Sequence, residues 1–167
     1  MKNKNIVVTN LVFSAMFILL LFLDRVTKNW AARTLMKGDL KLIPDILSLH
    51  YLENRGAAWG IFQNAFWLFF IITILVVGVM VFFYARVPFT RRYWYIRFTI
   101  IFLSAGAIGN FIDRAFWHYV VDFIYVEAIN FPVFNVADCY VCISAVLLIH
   151  SFLFYYKEEE LLWRKKN

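Results

Sequence analysis

AFWLFFIITILVVGVMVFFYA, residues 65–85, has neither a charged side chain nor a proline. At 1.5 Å of rise per residue it can cross the ~30 Å hydrocarbon core of a bilayer as one helix. Three further apolar runs, 6–23, 98–112 and 139–156, approach the ~17–25 residues that such a crossing requires. The run at 98–112 is the short one and reaches that length only by continuing into Asp113 and Arg114. Apolar residues make up 63% of the chain, above the roughly 45–50% of ordinary soluble domains. Pro44, Pro88 and Pro132 all fall between the runs, as uninterrupted helices require. The expectation is an all-α membrane protein, a bundle of four transmembrane helices in one domain over 1–167.

Lys2 and Lys4 precede the first run as in a signal peptide, but it ends in Asp24-Arg25 instead of a small-residue cleavage site. It reads as a retained anchor. Orientation follows from the basic residues. Ten (Lys2, Lys4, Arg86, Arg91, Arg92, Arg97, Lys157, Arg164, Lys165 and Lys166) fall on the side of segments 1–5, 86–97 and 157–167. Seven (Arg25, Lys28, Arg33, Lys37, Lys41, Arg55 and Arg114) fall in segments 24–64 and 113–138. The termini and the 86–97 loop are therefore expected in the cytoplasm and the other two segments outside. The net charge of +6 then faces anionic lipid headgroups, and no feature points to nucleic acid. Trp67, Trp94, Trp163 and Tyr155 lie near the expected boundaries, where amphipathic rings settle. Ser104, Ala105, Gly106 and Gly109 are small enough to let the third helix approach a neighbour closely.

Residues 24–64 are too long for a plain connection. Val26, Trp30 and Ala31 recur at helical spacing while Lys28, Arg33 and Lys37 take other faces, which predicts an amphipathic helix lying on the membrane surface. Leu47, Leu49 and Tyr51 alternate with Ser48 and His50, the period of a half-buried strand. In Glu53-Asn54-Arg55-Gly56-Ala57-Ala58-Trp59-Gly60, the glycines predict a turn or a close approach of backbone to ligand. A small β-containing subdomain is expected above the bundle.

Asp122 in Val120-Val121-Asp122-Phe123-Ile124 and Asp138 in Phe134-Asn135-Val136-Ala137-Asp138 stand at the edges of apolar segments. Carboxylates are expensive there and are functional candidates. A chain that leaves the membrane after Ile112 can turn near Pro132 and bring Asp138 back toward Asp122. Each aspartate is also open to the plainer reading of a helix cap or a solvated interfacial acid.

Five blocks in order carry a resemblance: Leu23-Asp24-Arg25-Val26-Thr27-Lys28, Asn54-Arg55-Gly56-Ala57-Ala58-Trp59-Gly60, Gly106-Ala107-Ile108-Gly109-Asn110-Phe111-Ile112-Asp113-Arg114, Val121-Asp122-Phe123 and Phe134-Asn135-Val136-Ala137-Asp138. Together they span nearly the whole chain, and the sequence resembles the lipoprotein signal peptidases, or signal peptidase II. The resemblance implies an aspartyl endopeptidase of the bacterial cytoplasmic (inner) membrane that cuts diacylglyceryl-modified prolipoproteins just before the lipidated cysteine. It makes Asp122 and Asp138 the catalytic dyad and places Asn54, Asn110 and Arg114 at the substrate, Gly56 beside them. Asn135 is expected to cap the fourth helix, orient Asp138, or both. The positive end of that helix favours charge on Asp138, leaving the shared proton on Asp122. No metal or organic cofactor is implied, and a monomer is the default.

Asp24 and Lys28, four residues apart with the acid first, suit a helical ion pair and are supporting residues. For Arg114, a snorkelling boundary cation or an ion pair with Asp113 are the plainer roles. Cys139 and Cys142 form a lone C-x-x-C inside an apolar helix, a poor metal site, and read as small buried hydrophobes. His50, His118 and His150 are scattered, which argues against a metalloprotease. The competing class is a small transporter or channel subunit using Asp122 and Asp138 for protons or cations, but no internal repeat between the two halves supports it.

Overall fold

The computed structural model describes residues 2–56, 62 and 65–161. The readings made for Ala57, Ala58, Trp59, Gly60, Trp163 and the basic residues 164–166 lie outside them. Four helices carry the chain: α1 (Lys2–Thr34), α2 (Phe66–Arg86), α3 (Trp94–Trp117) and α4 (Val136–His150), the last continued by a π-helical turn at Ser151–Tyr155. All four are long and apolar enough to cross a membrane. A three-stranded antiparallel sheet, in the order β1 (Leu40–Ile43), β2 (Leu47–Asn54), β3 (Val120–Tyr125), stands at one end. A short helix, α5 (Glu158–Leu161), lies at the other.

Helix α3 is the centre and packs against each of the other three. Small residues make this possible. A β-carbon on Gly106 would sit 2.5 Å from the Ala137 carbonyl oxygen and 2.8 Å from Val141 Cγ2, and one on Gly109 would sit 2.7 Å from Asp24 Oδ2. Glycine at both positions lets α3 close on α4 and α1. Leu20, Ala105 and Tyr140 fill the core where α1, α3 and α4 meet.

The expected surface-lying helix is not a separate element. Helix α1 runs through Asp24-Arg25 to Thr34 and ends in a 3₁₀ turn at Leu35–Lys37. The apolar face read as Val26, Trp30 and Ala31 is also split, because Val26 and Trp30 are exposed while Ala31 is buried. Asp24, Lys28, Ala31 and Leu35 are all buried, and their spacing of four, three and four residues forms one stripe on the helix. Its upper half, Ala31 and Leu35, packs on Val121 and Phe123 of β3 and so supports the sheet. Its lower half is polar, which is why hydropathy ended the segment at Leu23.

Arg97 also departs from expectation. Counted with the exposed residues of the second loop, it lies in the first turn of α3, fully buried. It donates to the carbonyl oxygen of Val87 at 2.6 Å and sits over the rings of Tyr84 (4.4 Å) and Phe89 (3.9 Å). The guanidinium thus closes the carbonyl end of α2, where the helix dipole favours a cation. Arg97→Lys keeps the charge but loses the planar stacking and the fork of donors. We expect it to lower stability in detergent by about 2 kcal/mol, on the order of one desolvated cation–π contact. A thermal unfolding scan checks this.

Near the same end, Arg92 pairs with Glu160 at 3.0 Å and lies over the ring of Tyr155, which ties α5 to the loop between α2 and α3.

Candidate active site

Asn54 is the last residue of β2, and Asp122 lies in β3. In the antiparallel register Leu52 faces Asp122 and Asn54 faces Val120. Asn54 and Asp122 are therefore diagonal neighbours on one face, close enough for side chains to meet. The Asn54 amide donates to Asp122 Oδ2 at 2.8 Å, and its own oxygen accepts from the Gly56 backbone N–H at 2.9 Å.

Asp138 arrives from a different element. Asn135 is the N-cap of α4, and Asp138, three residues on, completes a reciprocal capping box. The Asn135 side-chain oxygen accepts from the Asp138 N–H at 3.1 Å, and Asp138 Oδ2 accepts from the Asn135 N–H at 3.0 Å. With its oxygen engaged in the cap, the Asn135 amide nitrogen points the other way. It donates to Asp122 Oδ1 at 2.6 Å and to Asn110 Oδ1 at 3.1 Å. One fully buried asparagine thus performs both expected roles and also bonds directly to Asp122.

Asn110 extends the network from α3. Its oxygen accepts from Lys28 Nζ at 2.9 Å as well as from Asn135, which turns its amide nitrogen toward Asp138 Oδ1 at 2.7 Å. Lys28 is 1% exposed and pairs with Asp24 and Asp113, each at 3.0 Å. Asp113 is completely buried and also meets Arg25 at 2.7 Å. Asp24 Oδ1 accepts from the Ala137 N–H at 3.1 Å, which places a carboxylate at the start of α4. Two acids and two bases balance beneath Asp122 and Asp138. The Asp24–Lys28 pair is thus part of the frame that aims Asn110 and, through it, Asp138.

Arg114 does not pair with Asp113, which meets Arg25 and Lys28 instead; its guanidinium donates to the Gly56 carbonyl at 2.9 Å and lies over Phe69 at 4.2 Å. The ion-pair alternative fails because Asp113 turns toward α1, one residue around the helix from Arg114. Arg114, Asn54, Gly56, Asp122 and Asp138 all line one cavity of about 650 Å³, whose other walls are Phe69, the segment Phe131–Phe134, Cys139, Cys142 and Ile143. The cysteines are free, Cys139 half-buried and Cys142 exposed, so the reading as small buried hydrophobes does not hold for Cys142. Asn110 and Asn135 stand behind the cavity, in the second rank. Sequence reasoning missed Asp113 and Arg25; the signal was available in Asp113 lying four residues after Gly109, on the face of α3 that meets α1.

Asp122 lies outside the membrane-spanning helices, and its carboxyl is pushed up to about 7, by burial first and by the charge of Asp138 second. Hydrogen bonds from Asn54 and Asn135 oppose the shift, as does Lys28. The acid form therefore persists to near neutral pH, and rises in pH through about 7 remove it. Acid–base chemistry that draws on this proton should lose kcat on the alkaline side of that value. Asn54→Ala removes one opposing bond, so the alkaline limb of the pH–rate profile should move to higher pH. The rate itself should drop about tenfold or more, the equivalent of one charge-assisted hydrogen bond of ~1.5–3 kcal/mol. A limb that moved downward would contradict the geometry.

Two carboxyl groups held by shared donors, one carrying a proton near neutral pH, can activate a water and polarise an amide carbonyl from the same cavity. Comparison with known proteins agrees with this chemistry. The family model for Signal peptidase (SPase) II matches residues 16–154. The lipoprotein signal peptidase of Streptococcus pyogenes serotype M5 (strain Manfredo) is 38% identical over 149 residues, which cover 89% of this chain and 95% of that one. That of serotype M3 (strain ATCC BAA-595 / MGAS315) is 37% identical over the same shares. Two solved bacterial membrane enzyme structures, obtained by the in meso method at 2.3 and 1.9 Å, share the fold with TM-scores of 0.77 and 0.74. They are 32% and 34% identical and cover 93% and 87% of this chain, and 93% and 94% of their own. The match of the family model to most of the chain, with relatives aligned over nearly their full length, shows that the protein belongs to the signal peptidase II family of membrane peptidases.

Proposed function

We propose that the protein removes the signal peptide from diacylglyceryl-modified prolipoproteins by cleaving the amide bond before the lipidated cysteine, with Asp122 and Asp138 as the catalytic pair. The observation that carries this reading is the position of Asn135, bonded at once to Asp122 and to the backbone of Asp138, which holds two carboxyl groups from β3 and α4 against one cavity.

The reaction starts with the shared proton on Asp122 and charge on Asp138. Asp138 takes a proton from water as its oxygen attacks the scissile carbonyl, and Asp122 gives its proton to the carbonyl oxygen. Asp138 then passes its new proton to the leaving nitrogen while Asp122 recovers one from the diol. The C–N bond breaks, a carboxyl group and an amine form, and the pair again holds one proton. Arg114 and Asn54 border the cavity with donors suited to the substrate carbonyl and its developing negative charge. Neither metal nor organic cofactor has a step to perform.

Cavity walls come from α2, α3 and α4, so a substrate helix can approach laterally with its acyl chains still in lipid. The sheet-bearing end is assigned to the outer face of a bacterial cytoplasmic membrane, with both termini and the connection between α2 and α3 inside and the protein a monomer among lipids. The excess of basic residues supports this orientation: with the buried Arg97 and Lys28 set aside, nine remain on the inner side against six. A transporter would want its acids near mid-membrane, whereas Asp138 lies in the first turn of α4 and Asp122 in the sheet.

Matched peptides with and without the diacylglyceryl group test the reading. Each acyl methylene contributes about 0.8 kcal/mol to membrane retention, so apolar contacts hold the substrate and few polar groups are needed for affinity. The wild-type protein should cleave only the lipidated peptide. Arg114→Ala should lower kcat on the order of 10²–10³ with little change in KM, as for a donor acting mainly in the transition state. Equal cleavage of the unlipidated peptide would remove the proposed specificity. A defect confined to KM would make Arg114 a docking residue.

A further inference from the structure

Cys139 follows Asp138 directly, and Cys142 stands one helical turn further along α4. Both face the 650 Å³ cavity that holds the two aspartates, as residues three apart on a helix share a face. Both are free thiols, and neither is fully buried. They are the only cysteines of the chain.

We propose that Cys139 and Cys142 form a covalent modification site inside the catalytic cavity, at which a membrane-partitioning α,β-unsaturated carbonyl compound adds and excludes the substrate. The inference rests on the peptidase reading for its effect on cleavage, though not for the addition itself. In the addition a sulfur–carbon bond forms at the β-carbon and the carbon–carbon π bond breaks. Its electron pair passes into the enolate, and the proton given up by the thiol ends on the α-carbon. There is no leaving group, and no oxidant is needed.

The surroundings favour one class of reagent. Phe69, Pro132, Val133 and Ile143 make much of the cavity wall apolar, so an uncharged electrophile collects there while an ionic one stays in water. The nucleophile is the thiolate, so addition draws on the ionised fraction of each thiol. An adduct on either sulfur projects a ring into the space through which the substrate chain must reach Asp138.

The test uses the full chain in lipid vesicles with N-ethylmaleimide, and with a sulfonated maleimide as the ionic counterpart. Intact mass counts adducts, and cleavage of a diacylglyceryl peptide is read against each protein's own untreated rate. We expect N-ethylmaleimide to add to the wild type at least several-fold faster than the sulfonated reagent and to lower its cleavage more than tenfold. The Cys139→Ala/Cys142→Ala protein should take no adduct and keep most of its own untreated rate. In Asp122→Asn, which cannot turn the peptide over, prior addition of the lipidated peptide should slow labelling. Adducts that leave cleavage intact, an absence of adducts on folded wild type, or equal inactivation of the cysteine-free protein would each overturn the proposal. If untreated wild type failed to cleave the peptide, the peptidase reading would fall, while the adduct count and reagent preference would still judge the site.

Discussion

Asp122→Asn and Asp138→Asn are each expected to reduce cleavage of a lipidated prolipoprotein by about 10⁴-fold or more, and the double substitution should be little worse than either single one. General acid–base catalysis alone is worth ~10²–10⁴, and in the proposed mechanism each carboxyl group performs both a taking and a giving step. Residues that act as a unit are not additive. Both substitutions preserve shape, and the capping box keeps an acceptor at position 138. Each asparagine gives up one of the two hydrogen bonds its carboxylate accepts, so the variants should insert and fold with a stability lowered by about 1–3 kcal/mol. Initial rates on purified protein, with a thermal scan for folding, check this. A folded single variant with near-full activity would rule out the shared-proton mechanism.

Lys28→Met carries the second large effect, and it falls on stability. Methionine keeps most of the apolar stem but leaves buried Asp24 and Asp113 facing each other with only Arg25 as counter-charge. Breaking a buried pair by removing one partner costs about 3–5 kcal/mol. Asn110 also loses the donor that helps turn its amide toward Asp138, so the surviving folded fraction should cleave slowly. Asp24→Asn added to Lys28→Met removes one of the stranded charges and should recover part of the stability, because the asparagine oxygen can still accept from the Ala137 N–H. Unfolding midpoints of the single and double variants measure this. Failure of the second substitution to recover any stability would mean that the charge balance beneath the dyad is not what holds α1, α3 and α4 together.

Much of the architecture was legible because lipid imposes a simple rule: uncharged runs become spanning helices, and prolines fall between them. The meeting of Asp122 and Asp138 at one cavity was legible for a related reason. An acid at a membrane edge needs an explanation, and the ordered blocks around Asp122 and Asp138 supplied one. What escaped the sequence was buried charge. The Asp24–Lys28 pair was legible from its spacing, but Asp24-Arg25 and Asp113 also read as the ends of spans, because hydropathy treats a charge as a preference for water. In the folded chain they neutralise one another between helices that glycines bring together. Arg97 was misread for the same reason, since two aromatic rings and a helix C-terminus stand in for water around it. The strand Val120–Tyr125 was seen only as an apolar edge. Four of its residues are buried, which removes the alternation that had marked β2. Its register, and with it the meeting of Asn54 with Asp122, depends on pairing between segments far apart in sequence.

The most direct test of the central claim is the mass of the products formed from a diacylglyceryl prolipoprotein in membranes containing either the wild type or Asp122→Asn. The account predicts a signal peptide ending just before the lipidated cysteine and a mature product beginning with it, from wild type only. Cleavage at any other bond, or the same products from Asp122→Asn, would contradict it.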